Sequence, residues 1–270
     1  MVKANGVGLY YELEGDRGDP IVFIHGSWGS HAGWGFVVPG LSKSFWVLTY
    51  DRRGHSLSEK PATQGSADED ASDCSALLTE LNLVPAHVVG NSFGSIIALK
   101  LATREPSLFK SLSVHEPPLT GLLEGDPSNA ALLEDVRNKS KAVIELLGRG
   151  DRSGGARLFI ETIAMGKGEW EKLSPRLKET FISNADTFLD ESKDPDWARL
   201  DLHALSQFRR PVRLTYGGKS PPFFKPIIDK LANLMEGSKI EEFPNDGHAP
   251  HMSNPDEYVR RLTAFAQSSS

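Results

Sequence analysis

An α/β fold, with a mostly parallel sheet covered by helices on both faces and interrupted by one helical insertion, is what this chain predicts. Three observations carry it. Apolar runs too short for helices alternate with helical patterns along most of the sequence, the mark of strands buried on both faces. Gly90-Asn91-Ser92-Phe93-Gly94 falls between one such run and a helical pattern, so strand, sharp turn and helix follow directly. Between residues 120 and 205 the strand signal disappears and then resumes.

Taken in order, Gly8 to Leu13 alternates like a hairpin strand, and Gly15-Asp16-Arg17-Gly18 supplies the next turn. Ile21-Val22-Phe23-Ile24 and Trp46-Val47-Leu48-Thr49-Tyr50 are continuous apolar runs, ending in His25-Gly26 and Asp51-Arg52-Arg53-Gly54. A helix is expected over Ala71–Leu81, a strand over Ala86–Val89 and a helix over Ser95–Leu101. The run Leu112–His115 leads into Glu116-Pro117-Pro118. Helical spacing follows at Ala142, Val143, Leu146 and Leu147, and again around Leu158, Phe159, Thr162 and Ile163. Val212–Tyr216 and Lys239–Phe243 read as the last strands, and the C-terminal helix starts near Asp256. The expected organisation is a core of residues 1–119 and 206–270 carrying a helical cap of residues 120–205.

Bulk properties narrow the function. The chain has 270 residues, 39% hydrophobic and 24% charged, as in ordinary soluble domains. A net charge of −6, without a basic stripe interleaved with aromatics, speaks against nucleic acid. No apolar run suits a signal peptide or a membrane span, so a cytoplasmic protein without a membrane partner is expected. A homo-oligomer is compatible with the sequence. Cys74 is the single cysteine, which excludes an internal disulfide and a cysteine metal cluster. Its neighbours Asp70, Asp73 and Glu80 are acidic, so an inert, buried thiol is expected.

The residues that carry chemistry start with Ser92. Its surroundings match the G-x-S-x-G nucleophile elbow, where small flanking residues let the backbone turn sharply and expose the serine oxygen. The bland alternative is a serine capping an ordinary helix. A serine nucleophile needs a base. His248, in Asn245-Asp246-Gly247-His248-Ala249-Pro250-His251, follows the last strand and is placed ahead of His251, because Gly247 allows a tight loop there.

With these landmarks in order, the chain resembles the α/β-hydrolase family over essentially its whole length. The matching features are His25-Gly26, Asp51-Arg52-Arg53-Gly54-His55-Ser56, the elbow at Ser92 and Gly247-His248. The resemblance implies an α/β-hydrolase fold and a Ser–acid–His triad. Most members carry the acid on the loop after the strand read here as Val212–Tyr216. That loop is Gly217-Gly218-Lys219-Ser220-Pro221-Pro222 and has no carboxylate. Either the triad is crippled or the acid comes from elsewhere. Glu116 is the natural substitute, since it ends a neighbouring strand at the same sheet edge. His115-Glu116-Pro117-Pro118 with an acid-free later loop looks like the fungal zearalenone lactonases, and that resemblance implies Glu116 as the acid. Asp246 is too close to His248 in sequence to reach its far nitrogen.

The oxyanion hole is expected from the Phe93 N–H and the Ser27 N–H, with Gly26 or Trp28 replacing Ser27 if the loop turns differently. Trp28, with His31 and Trp34 as further candidates, is expected to face the substrate, and Phe159, Met165, Trp170, Phe181 and Phe188 form a set from which the pocket is drawn. Together these readings predict hydrolysis of a small-molecule carboxylic ester or lactone through an acyl-enzyme, with no metal and no organic cofactor. Alternatives on the same fold are a C–C bond hydrolase, a perhydrolase, or a ligand receptor with little turnover. Ser220 and Ala249 count against the first of these.

Overall fold

The computed structural model describes residues 1–63 and 65–269. Its strands are β1 (Val2–Ala4), β2 (Val7–Leu9), β3 (Tyr11–Glu14), β4 (Pro20–Ile24), β5 (Trp46–Tyr50), β6 (Ala86–Asn91), β7 (Phe109–His115), β8 (Val212–Gly217) and β9 (Lys239–Phe243). Seven of them form the central sheet in the order β3-β5-β4-β6-β7-β8-β9. Only β3 runs antiparallel to its neighbour in that sheet; the remaining pairs are parallel. This is the mostly parallel α/β sheet that the run pattern predicts, in the α/β-hydrolase architecture that the resemblance implies.

Side-chain alternation along the central strands divides the interior into two cores. Val22, Ile24, Leu48 and Val88 point to one face, where they meet α1 (Ala67–Glu80), α2 (Phe93–Arg104) and α7 (Phe224–Leu234). Ile21, Phe23, Val47 and Val89 point to the other, against Trp34, Leu41 and α8 (Pro255–Gln267). Register brings polar side chains of neighbouring strands together within the sheet. His87 pairs with Ser111 across β6 and β7, and its Nδ1 lies 2.8 Å from the Ser111 hydroxyl. Arg213 pairs with Ser113 across β7 and β8 and donates to its hydroxyl at 3.1 Å.

One expected strand breaks in two. Residues 8–13 do not run continuously: β2 pairs with β1, whereas β3 pairs with β5. At the break the Tyr10 N–H donates to Ser58 Oγ, and within β2 the Gly8 N–H donates to Glu59 Oε2. Side chains of the 58–59 turn capture the backbone groups that one continuous ladder would use.

Between β7 and β8 the described residues contain no strand. The regular elements there include α3 (Ala130–Gly148), α4 (Arg152–Phe159), α5 (Pro175–Ser183) and α6 (Ala185–Lys193), with a wider π-type turn over Ile160–Ala164. This helical segment buries an apolar cluster of its own, including Val143, Leu147, Ala156, Ile160, Trp170 and Phe181. Trp28 joins that cluster from the core side. Among the described residues no helix is long and apolar enough to cross a membrane.

Helix α2 sits hard against β4, and Gly94 allows the approach. A Cβ at Gly94 would lie 2.1 Å from the Ile24 carbonyl oxygen, and backbone cannot move aside as a side chain can. Gly94→Ala is therefore expected to lower stability by at least the upper end of the roughly 1–3 kcal/mol typical of overpacking. Urea unfolding of the purified variant measures this, and an unchanged midpoint would contradict the packing described.

Candidate active site

Ser92 occupies a strained turn between β6 and α2. Its backbone has φ 55 and ψ −124, a conformation unfavourable for a residue with a side chain. Two contacts hold it there: the Ser92 N–H donates to His115 O at 2.8 Å, and the Ser95 N–H donates to Ser92 O at 2.9 Å. Gly90 is needed as well, because a Cβ on it would lie 2.6 Å from Ser95 Cα. Phe93 opens α2, so its N–H has no acceptor within the helix and remains free to bind a ligand oxygen.

The register of the sheet brings the acid beside the serine. Asn91 of β6 pairs with His115 of β7, so Ser92 and Glu116 leave adjacent strands at the same level. Glu116 also takes a positive φ of 49, with its N–H donating to Thr215 O at 3.2 Å. Its carboxylate is fully buried. Oε1 accepts from the Gly217 N–H at 2.7 Å, and Oε2 lies 2.6 Å from His248 Nδ1. Burial by itself would raise the carboxyl pKa. The neighbouring His115, the His248 bond and the Gly217 N–H outweigh burial and hold it below the ordinary value. Asn91 Nδ2 donates to His248 O at 3.0 Å, and the Phe224 ring stacks on the imidazole with centroids 4.9 Å apart.

The turn after β4 faces the serine from the other side. A Cβ on Gly26 would lie 2.9 Å from Ser92 Cβ, so this backbone approaches the hydroxyl closely. His25 pins the turn, with Nδ1 2.8 Å from Gly26 O and Nε2 accepting from the Arg52 N–H at 3.0 Å. The Ser27 hydroxyl donates to Glu191 Oε2 at 2.5 Å, and Arg52 Nη1 donates to Glu191 Oε1 at 2.9 Å. Arg52 also grips Asp70 through two nitrogens, at 3.2 and 2.7 Å. Burial raises the Glu191 carboxyl, against the pull of Arg52 and the Ser27 hydroxyl.

Two cavities reach both Ser92 and His248. The larger, about 590 Å³, is lined by residues including Phe93, Val136, Phe159, Phe188, Trp197 and Phe224. The smaller, about 70 Å³, is lined by Gly26, Trp34, Met165, Phe181, His251 and Met252 among others. Of the expected pocket residues, Trp34 therefore lines the smaller space, with Met165 and Phe181, and Phe159 and Phe188 line the larger.

Two expectations are corrected. Trp28 lines neither cavity: it is fully buried, with Phe159 and Phe188 at 5.2 and 5.1 Å, and anchors the helical segment to the core. Its loop position is as expected, but the helices above offer its indole an apolar socket. His31 also lines neither cavity. Its Nδ1 lies 2.8 Å from Asp51 Oδ1, which fixes the ring on the far side of the loop.

His251 is buried with its ring 4.3 Å from that of Trp34, and Asp246 is taken by Ser253 and Asn254, so neither competes for the roles expected of His248 and Glu116. The Ser220 hydroxyl is buried without a hydrogen-bond partner. Cys74 is buried, and burial pushes its thiol up to about 12. His115, Glu116 and His248 form the one group among the described residues able to surround a metal ion, but Glu116 and His248 are already bonded to each other. Sequence reasoning missed Glu191, Asn91 and Phe224 at this site. Arg52 stood in a recognised motif, yet its partners on α1 and α6 left no local signal.

A family model described as the alpha/beta hydrolase family matches residues 21–261. The chain is 35% identical over 260 residues to the dihydrolipoyllysine-residue acetyltransferase component of the acetoin cleaving system of Pseudomonas putida, covering 95% of this chain and 65% of that protein. It is 35% identical over 153 residues to the uncharacterized hydrolase YraK of Bacillus subtilis (strain 168), covering 55% of this chain and 56% of the relative. The chain thus spans less than two thirds of the length of either relative. Among solved structures it is similar to Est816, described as an N-acyl homoserine lactone degrading enzyme. That similarity has a TM-score of 0.76 and 25% identity, over 96% of this chain and 97% of the other.

Burial at the site has a consequence for stability. It pushes His25 and His251 down to about 3 and His115 to about 4, whereas an unfolded chain protonates its histidines near the ordinary value of about 6.5. Below that pH the unfolded state binds more protons than the native state, so stability falls with pH until the folded values are reached. Urea midpoints measured from pH 7.5 to 4.5 are expected to drop steadily below about pH 6.5, and a flat profile would contradict the burial of these rings.

Proposed function

The chain belongs to the alpha/beta hydrolase family, and from that premise we propose that it is a serine hydrolase of carboxylic esters or lactones, working through an acyl-enzyme. Ser92 is the nucleophile, His248 the general base and Glu116 the acid. The observation that carries this reading is the 2.6 Å contact between His248 Nδ1 and a fully buried Glu116 carboxylate, beside cavities that Ser92 and His248 share. A buried carboxylate on Nδ1 holds the imidazole in the tautomer whose Nε2 accepts a proton, and stabilises the imidazolium that results.

In the first step His248 takes the Ser92 proton as the hydroxyl oxygen attacks the substrate carbonyl. The Phe93 N–H and a backbone N–H of the Gly26–Trp28 turn, Ser27 by preference, hold the developing oxyanion. His248 then returns its proton to the departing alcohol. A water molecule, deprotonated by His248 in turn, releases the acid and restores Ser92. With a lactone the alcohol stays tethered to the acyl group. Residues 120–205 act as the cap that roofs the site and shapes the substrate. The larger cavity, about 590 Å³, lies within the roughly 300–1,000 Å³ usual for small-molecule sites and takes the bulky apolar part. The smaller, about 70 Å³, takes a group of a few atoms. The likeness to a lactone-degrading enzyme supports keeping lactones beside open-chain esters.

The test combines a serine-directed fluorophosphonate probe with turnover of an activated aryl ester. Labelling confined to Ser92, lost in Ser92→Ala, is expected. Glu116→Gln is expected to lower kcat by about 10⁴-fold while the protein stays folded, as loss of the orienting charge does in related triads. Probe labelling elsewhere would remove Ser92 from the nucleophile's role. Full turnover in folded Glu116→Gln would remove Glu116 from the acid's.

A further inference from the structure

His115 ends β7 immediately before Glu116, and the reaction above gives it no role. Its side chain is buried. Nδ1 lies 2.9 Å from Thr215 Oγ1. Nε2 is buried without a hydrogen-bond partner, 3.6 Å from Glu116 Oε2. A polar atom left so in a dry interior is costly unless a nearby charge offsets it.

The Thr215 hydroxyl can serve either tautomer of the ring, so the Glu116 carboxylate decides which nitrogen carries the hydrogen. The hydroxyl has one proton and two acceptors within reach, Val114 O at 3.1 Å and His115 Nδ1 at 2.9 Å. If the proton went to Val114 O, Nδ1 would hold the ring hydrogen. Nε2 would then turn a bare lone pair on the carboxylate. If the proton goes to Nδ1, Nε2 holds the hydrogen and directs it at Glu116 Oε2. The second arrangement replaces a repulsion by an attraction where the local dielectric is low and the difference largest. Glu116 and the Gly247 backbone are the two neighbours that favour a proton on this ring. Burial pushes the ring down to about 4, so at neutral pH it acts as an oriented dipole and not as a cation.

We infer that His115 is a positioning residue whose Nε2–H faces Glu116 Oε2 beside His248 Nδ1, keeping the carboxylate ionised and aimed at His248. The assignment rests on Glu116 being the acid. At 3.6 Å the contact is longer than a hydrogen bond, so its contribution is electrostatic. The other charged or titratable groups around it are His248, Arg213 and His251. Arg213 is committed to Glu241 and Ser113, and His251 is held neutral by burial. Without the His115 dipole the carboxylate is less stabilised and draws the His248 proton more strongly.

The experiment is the pH dependence of kcat and KM for an activated aryl ester, measured on wild type, His115→Phe, His115→Gln and Glu116→Gln. His115→Phe keeps the ring's bulk and is expected to lower kcat about tenfold at unchanged KM, with the acid limb of kcat/KM moved to higher pH. His115→Gln places an amide N–H near the position of Nε2 and is expected to restore the limb. A wild-type kcat and limb in His115→Phe overturns the assignment. So does an equal loss in both variants with no movement of the limb, since that is the mark of a packing role. Should His115→Phe fail to fold, His115→Leu removes the dipole with a smaller apolar side chain. That variant is expected to move the limb in the same direction, and an unmoved limb there overturns the assignment. Inactive Glu116→Gln beside an unaltered His115→Phe removes the His115 role alone. Full activity in Glu116→Gln removes the acid and the His115 role together.

Discussion

The buried carboxylate of Glu116 is the constraint around which this site is built. An ionised group without solvent is tolerable only when charge or hydrogen bonds surround it. Here one oxygen takes the Gly217 N–H and the other faces His248 Nδ1, so β7, β8 and the loop after β9 must all end at one place. The sheet register delivers that: Asn91 pairs with His115, His115 with Thr215, and Gly217 with Phe243. Two strained residues, Ser92 and Glu116, sit side by side as a result, and each has its N–H bonded to the neighbouring strand.

A second buried ionic group ties the helical segment to the core. Arg52 follows β5, Asp70 lies on α1 and Glu191 on α6, and the Ser27 hydroxyl completes the set. A buried ion pair of this kind adds little net stability, because desolvation cancels much of the attraction. It does specify geometry. Arg52 meets both carboxylates at once, and the Ser27 hydroxyl on Glu191 sets α6 beside the turn that approaches Ser92. The Trp28 socket beneath Phe159 and Phe188 makes the same junction with apolar contacts.

How far the site was legible follows from the range of the forces involved. Ser92 was readable because strand, glycine turn and helix are contiguous, and each leaves a local pattern. Trp46–Tyr50 and Lys239–Phe243 were readable to the residue because their ends carry turn signals. The break at Tyr10 was not readable, since the Tyr10 N–H is taken there by Ser58, far along the chain. Trp28 and His31 were misassigned for the same reason. A loop position says that a side chain is near the site, whereas its direction depends on the partner that claims it: apolar helices for Trp28, Asp51 for His31.

By itself, then, the sequence determined the fold class, the order of the landmarks, the serine and histidine at strand ends, and the absence of a carboxylate from the loop at Ser220. These are properties of local period, turn chemistry and residue type, which act over a few residues. Glu116 was the acid that the sequence and the resemblance pointed to, and the tertiary structure places its carboxylate on His248 Nδ1. Tertiary structure alone decided which aromatics face the cavities and which anchor the helical segment, and where Arg52 finds its counter-charges. Those outcomes depend on register between strands and on burial, and both arise only when segments far apart in the chain exclude water from one another.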